Sequence, residues 1–534
     1  MFRRWLAPAY ALGLTALLLA PLLRPGYLLL RDAVSTPRSY LTDAALGVGE
    51  GAPRAVPQDF AVALGSHLVD GGVLVKAVLF AGVWLAGWGA ARLVVVVLPT
   101  AGVGGQLAAA TLAVWNPYVA ERLLQGHWSL LVGYGCLPWV AAAVLRMRTG
   151  EPSLFALVFF VAVAGLTPTG LILAAVTALA CAGLRRLGVV LAIAVAAALP
   201  WAVAYALHPV TAPADPTGVP AFAARAEPGL GTLGSVAGLG GIWNADAVPG
   251  SRTTLFAVVA TLVLLGVVAV GLPTVWRRRA ARPLLVLAAV AVLLIAVSAT
   301  GPGLVVLQRL IEAVPGMGVL RDGQKWVALA MPGYALAAAG ATMVFRRLTV
   351  PITVGICTAL IAVLPDLAWG VWGRVEPVRY PAAWPAVAAT INADPHPVAV
   401  LPAGVMRRFP WAGPTPVLDP LPRWVRAEVL STGDLDVGGA TVLGEGARAR
   451  TVQDLLLAPG FDPADPAALR DAGVGWLVVE GPADLTLSRI GGDTPGAPAD
   501  RRRAALAAHL VWLGLLVAGV TGMVLQSLQR ARRR

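Results

Sequence analysis

Charge is scarce in this 534-residue sequence, with 13% of positions Asp, Glu, Lys or Arg against 58% hydrophobic. That balance, at a mean hydropathy of +0.76, excludes a soluble domain and fits a polytopic membrane chain built from runs near bilayer length. Lysine is nearly absent: Lys76 and Lys325 stand against a large arginine excess, a GC-rich coding pattern from which no function is drawn. Cysteine is also rare, and Cys136, Cys181 and Cys357 fall inside apolar runs without CxxC or Cys/His spacing, so they read as small core hydrophobes. The five histidines are scattered, which argues against a metal site, and no cofactor is expected. There is no GxGxxG or P-loop in a strand-to-helix setting, no HExxH and no nucleophile elbow.

What is present is a series of uncharged runs punctuated by arginines. Spans are expected at about 5–23, 73–91, 94–115, 128–145, 154–166, 171–184, 188–207, 255–275, 284–299, 326–345, 350–369 and 504–525. This gives an α-helical polytopic fold of about twelve transmembrane helices. Arg3/Arg4 precede a span-length run without a clear cleavage site, so the first helix is read as uncleaved. Threaded from an inside N-terminus, Arg92, Arg146/Arg148, Arg185/Arg186, Arg277 to Arg279 with Arg282, Arg346/Arg347 and Arg530 to Arg534 all fall on the cytoplasmic side. Both termini are then cytoplasmic, in a bacterial plasma membrane. The net charge of +13 reports this topology, and nucleic acid is not an expected partner. Arg501 to Arg503 are the exception, expected to snorkel to headgroups or bind their phosphates.

The expected organisation is a membrane domain over 1–369, with outer loops at 24–72, 208–252 and 301–325, then a small α/β extracytoplasmic domain over 370–503 and a last helix with a basic tail over 504–534. Leu304 to Val314 is expected as an amphipathic interface helix. Thr167-Pro168-Thr169-Gly170 separates two short runs, and two readings stand equally: a segment lining a wet cavity or a tight hairpin. No internal repeat is visible, which weighs against a secondary carrier. His509 in the last span reads as a satisfied interhelical residue.

Three segments bear chemistry. Asp32 stands just beyond the first span, where a carboxylate is placed to act as general base on a sugar hydroxyl while the donor's lipid stays in the bilayer; the alternative is an ion pair with Arg31 or Lys76. The turn from Trp115 to Trp128 contains Asn116, Glu121, Arg122, His127 and Trp128, the residue types that stack on sugar rings and hydrogen-bond their hydroxyls. An aromatic belt with an Asn-Pro helix stop explains some of its tryptophans but not Glu121, Arg122 or His127. Arg321 and Lys325 place two cations outside, against the topological bias, where a lipid-linked phosphate is the natural counter-ion; a salt bridge with Asp322 or Glu312 is the alternative.

These elements resemble the GT-C superfamily of polytopic glycosyltransferases, especially the large cell-envelope arabinofuranosyltransferases of mycolic-acid bacteria. The resemblance rests on Arg24-Pro25-Gly26 through Asp32, on Asn116-Pro117-Tyr118 running into Gly126-His127-Trp128 and Leu137-Pro138-Trp139, and on Arg321 to Trp326, and it covers most of the membrane region. It implies transfer of arabinofuranose or mannose from a polyprenyl-phosphate donor to a cell-envelope glycan or glycolipid on the outer face. Asp32 is then the general base, and Arg321 and Lys325 hold the donor phosphate. The first loop departs from the pattern by lacking a second acid beside Asp32, which puts a paired-carboxylate metal site in doubt; Asp43 and Asp59 are the nearest alternatives. The α/β domain offers Arg407, Arg408, Trp411, Arg423 and Trp424 for acceptor binding or for its own core and rim. The competing readings are an envelope-lipid flippase and a non-catalytic assembly factor. Oligomeric state is not readable from the sequence.

Overall fold

The computed structural model describes residues 3–208, 215, 217–314, 316–344, 348–437, 439–444, 446–462, 466–482 and 484–532. Arg346, Arg347, Arg533 and Arg534 of the expected cytoplasmic set lie outside these residues. The principal helices are α1 (Arg3–Leu19), α2 (Gly71–Val97), α3 (Gly102–Val114), α4 (Pro117–Leu124), α5 (Trp128–Arg148), α6 (Leu154–Ala164), α7 (Pro168–Ala182), α8 (Leu187–Leu207), α9 (Phe256–Trp276), α10 (Arg282–Ser298), α11 (Gly301–Ala313), α12 (Met331–Ala341), α13 (Thr349–Ala362), α14 (Ala383–Ala393) and α15 (Ala499–Arg532). The apolar runs become helix because only intra-segment hydrogen bonds satisfy the backbone of an isolated run in lipid.

Six helices among the described residues are long and apolar enough to cross a membrane (α1, extended to Leu23, with α2, α5, α8, α9 and α15), or up to eight if each of two bent pairs is one span. The expected count of twelve crossings is not confirmed, and the causes of the shorter helices are local. Pro99 opens a 3-10 turn after α2 and leaves α3 only 13 residues, about 20 Å against a hydrocarbon core of about 30 Å. α6 and α7 have 11 and 15 residues, divided where the Thr167 hydroxyl caps the amide of Gly170. The run from Trp326 spends its first turns as 3-10 helix, leaving α12 with 11 residues. α10 and α11 meet at 94°, and α13 bends by 71° into Pro365–Gly373. α11, which overlaps the stretch read as amphipathic over 304–313, buries Ile311 and exposes Val305, Val306 and Leu310. α2 and α5 pack backbone to backbone: a Cβ at Gly135 would stand 2.1 Å from the Gly82 carbonyl oxygen, so only glycine fits.

The strands are β1 (Tyr27–Leu30), β2 (Ala33–Val34), β3 (Pro377–Val378), β4 (Val398–Leu401), β5 (Met406–Arg407), β6 (Val417–Leu418), β7 (Leu435–Val437), β8 (Ala440–Val442), β9 (Trp476–Glu480) and β10 (Leu485–Arg489). β4 lies parallel to β9 and β10 antiparallel to it, in the order β10-β9-β4. Side chains alternate across this sheet. Val398, Val400, Trp476 and Val478 enter one core with Trp384 and Ile391 of α14, while Ala399 and Leu477 enter a second core with Val452 and Leu469.

The first loop belongs structurally to this α/β region. β1 pairs with β3, and Leu29 and Val34 sit in the core of Trp384. The amide of Leu418 in β6 donates to the Arg31 carbonyl at 2.9 Å. Thus the α/β domain is docked one residue from Asp32.

Candidate functional site

A cavity of about 2620 Å³ lies between the helical body and the α/β domain. A single small-ligand pocket is typically about 300–1,000 Å³, so this one has room for two substrates. Asp32 reaches it because Arg31 takes a left-handed conformation (φ 48°), turning the chain sharply at the end of β1. The Arg31 guanidinium fastens that turn by donating to the carbonyls of Leu124 (2.5 Å) and Asp246 (2.8 Å), and the Asp32 amide donates to the Gln125 carbonyl.

The Asp32 carboxylate is held from one side. Gln125 Nε2 lies 3.0 Å and His127 Nε2 2.9 Å from the same oxygen, Oδ2. Among the described residues Oδ1 receives no hydrogen bond, and the side chain is 37% exposed on the cavity wall. One oxygen is therefore anchored and the other is available to a substrate.

The histidine tautomer follows from its other neighbour. Arg122 Nη1 is 3.0 Å from His127 Nδ1, and a guanidinium has no acceptor, so Nδ1 must accept. The proton then resides on Nε2 and points at Asp32. His127 is held neutral: burial lowers its pKa most, with the Lys325 and Arg122 charges adding to this against the pull of Asp32. Burial works against the Asp32 carboxylate, yet the His127 and Gln125 hydrogen bonds and the Lys325 charge outweigh it and hold its pKa below the ordinary value.

Lys325 and Arg321 line the same cavity. Lys325 Nζ is 3.5 Å from Asp322 Oδ2, whereas Asp322 is itself gripped bidentately by Arg122 at 2.8 and 3.0 Å. Burial lowers the Lys325 pKa, with Asp322 opposing it. Arg321 stacks over the Phe222 ring at 4.9 Å. The ion pair considered between Asp32 and Lys76 is not formed; Lys76 donates instead to the Arg24 carbonyl at 2.8 Å.

Several sequence-selected residues point elsewhere. Asn116 caps α4 through the Val119 amide and donates to Tyr134, and it does not line the cavity. Glu121 and Arg122 are fully buried: Glu121 accepts from the amides of Gly241 and Ile242 and from Gln324, while Arg122 binds Asp322, Gln324 and His127. A ligand in the cavity would not touch these three. Trp128 lines the cavity but is only 3% exposed. Asp43 and Asp59 also line it, yet Asp43 is bidentate to Arg502 and Asp59 pairs with Arg423. Arg407 is buried against Asp419 and Glu480, and Trp411 and Trp424 pack in or against the domain core. Among the described residues no three His, Cys, Asp or Glu side chains converge as metal ligands.

The turn at Thr167–Gly170 is both a tight cap and a cavity wall: Thr167, Pro168, Thr169 and Ile172 line it, joined by Trp201 and Tyr205 of α8 and Ile311 of α11. Gln125 of the Trp115–Trp128 turn also lines it, as do Trp243, Asn244 and Asp246, which were not singled out from the sequence. The run Trp243-Asn244-Ala245-Asp246, an aromatic and two polar groups in a long loop, is the signal that marks them.

Neither a family model nor a curated protein matches the sequence. Solved structures do. Arabinofuranosyltransferase AftD from Mycobacteria superposes with a TM-score of 0.58 at 18% identity, over 90% of this chain and 35% of that one. A mutant of the same enzyme gives 0.53 at 17%, over 91% and 37%. The chain thus spans little more than a third of that protein's length, and at this identity the likeness is one of fold. The chain is a multi-pass membrane protein, with a helical body and α/β region similar in fold to part of arabinofuranosyltransferase AftD.

Proposed function

We propose that this chain is a membrane glycosyltransferase that moves a sugar, arabinofuranose or mannose, from a polyprenyl-phosphate donor to a cell-envelope glycan or glycolipid on the outer face of a bacterial plasma membrane. The observation that carries the reading is the open Oδ1 of Asp32 on a cavity wall that also holds Lys325 and Arg321. In the reaction, Asp32 Oδ1 takes the proton of the acceptor hydroxyl as its oxygen bonds to the anomeric carbon. The bond between that carbon and the phosphate oxygen breaks, and the pair of electrons leaves with the polyprenyl phosphate. Lys325 and Arg321 stabilise the charge that grows on this phosphate. With Nδ1 already accepting from Arg122, His127 has no free site for a second proton, so it orients Asp32 and does not relay. The apolar wall of Ile172, Trp201 and Tyr205 suits a prenyl chain entering from the bilayer.

That wall equally suits passage of an envelope lipid, which is the flippase reading. Purified protein given a synthetic polyprenyl-phosphate sugar and an acceptor decides between them. Product formed by the native chain and lost in Asp32→Asn supports transfer; substrate movement in sealed vesicles without product overturns it.

A further inference from the structure

The loop before α9 is pinned to an unusual degree for a segment at a cavity. Glu121 accepts from the amides of Gly241 (3.1 Å) and Ile242 (3.2 Å), and Gln324 donates to the Leu239 carbonyl (3.4 Å). Arg225 donates to the Trp243 carbonyl at 3.3 Å and Asn244 Nδ2 to Gln125 Oε1 at 2.8 Å. Arg31 and Arg374 both donate to the Asp246 carbonyl, and Arg374 also reaches that of Val248 at 2.8 Å. Glu121 and Gln125 come from α4 and its C-cap, Arg31 from the first loop, Gln324 from the turn before α12 and Arg374 from the linker after α13, while Arg225 and Asn244 belong to the loop itself. A polar group taken out of water costs free energy unless it is hydrogen-bonded, and the buried Glu121, Gln324 and Arg31 are each paired with this loop's backbone, which fixes its geometry.

What the frame presents is unspent. The Trp243 ring is part-exposed on the cavity wall, braced edge to face by Phe222 at 4.7 Å, and its indole N–H has no partner among the described residues. The Asp246 carboxylate is exposed to the cavity and accepts no hydrogen bond among the described residues, while its charge balances the nearby Arg31 and Arg374 guanidiniums. An aromatic face, one donor and a carboxylate able to take two neighbouring hydroxyls form the recognition set for a neutral sugar ring.

We propose that Trp243 and Asp246 form a sugar-binding subsite, in which a glycosyl ring of one of the substrates stacks on the indole while two of its hydroxyls donate to the carboxylate. This rests on the glycosyltransferase reading for the identity of its ligand. The rigid frame supplied by Glu121, Gln324 and Gln125 lets the loop bind without an ordering cost.

The test uses the full chain in lipid nanodiscs and three probes: a short-chain polyprenyl phosphonate bearing a non-transferable sugar, the same lipid phosphate without sugar, and a soluble arabino- or manno-oligosaccharide. Trp243→Ala is expected to weaken at least one sugar-bearing probe by about tenfold or more, about 1.4 kcal/mol, and to leave the sugarless phosphate unchanged. Trp243→Phe should restore most of the loss, and Asp246→Asn should show a smaller loss on the same probe. Loss on the phosphonate sugar assigns the subsite to the donor, and loss on the oligosaccharide assigns it to the acceptor. Equal loss on all three probes, or no loss on either sugar, overturns the subsite while leaving the functional reading in place. A native chain that binds the oligosaccharide through Trp243 but neither lipid keeps the subsite and overturns the lipid-phosphate donor. Binding of none of the three overturns both.

Discussion

Two acid clusters border the same cavity and are built on opposite plans. At Asp32, both protein donors meet one carboxylate oxygen and the other is left open. At Arg407, two carboxylates share one buried guanidinium: Asp419 at 3.3 Å and Glu480 through Nε, with the remaining nitrogen spent on the Gly404 carbonyl at 2.6 Å. The first cluster keeps an unpaired oxygen on the cavity wall; in the second, the one oxygen without a partner among the described residues, Glu480 Oε1, is buried. Proximity to a cavity does not separate a chemical site from a structural one; an unspent lone pair that a ligand can reach does.

The widest separation between the two should come from Asp32→Asn, which keeps the shape and the anchored oxygen but removes the base. Transfer is expected to fall about 10²–10⁴-fold, with thermal unfolding unchanged. Arg407→Ala should do the reverse. It leaves two buried acids without their cation, at a cost of about 3–5 kcal/mol, read as loss of α/β-domain stability, with activity falling only as folded protein is lost. Lys325→Ala removes one phosphate cation and is expected to lower kcat about 10²–10³-fold, measured against a native chain at saturating donor.

Smaller effects separate the clusters by pH. Because Asp32 lies below the ordinary carboxyl value and the His127 pKa is lowered, the acid limb of kcat/KM should lie below the ordinary carboxyl range, with no step at the ordinary histidine value. His127→Ala removes a donor to the charged carboxylate, so the acid limb should move to higher pH; an unmoved limb contradicts the pairing. The Arg407 cluster has the opposite sign. Burial first, then the Asp419 charge, raises the Glu480 carboxyl, so the folded domain retains a proton that the unfolded chain releases. Its stability should be greatest below the unfolded carboxyl value and decline as pH rises toward the raised one, a slope that Glu480→Gln flattens.

Asp32, His127, Arg321 and Lys325 were legible in the sequence because a charge beside a span in so apolar a chain stands out. The structure places all four on one cavity. Glu121 and Arg122 stood out for the same reason, but the direction they face was not encoded locally. A buried helix between two spans presents either side, and here both side chains turn inward to partners about 120 and 200 residues away. Trp243 and Asn244 were hidden likewise, since Asn244 meets Gln125 across 119 residues. Six long helices followed from the apolar runs, and so did the break at Thr167 and the end of the run near Ala299, whereas the break at Pro99 divides the expected 94–115 run without lowering its hydropathy.

The most direct measurement is a structure of the full chain in a nanodisc with the non-transferable polyprenyl phosphonate sugar bound. The account predicts phosphonate oxygens about 3 Å from Lys325 Nζ and the Arg321 guanidinium, with the anomeric carbon facing Asp32 Oδ1 across space for one acceptor oxygen. A phosphonate seated against the α/β-domain wall beside Arg426, which also lines the cavity, or a sugar turned away from Asp32, would contradict it.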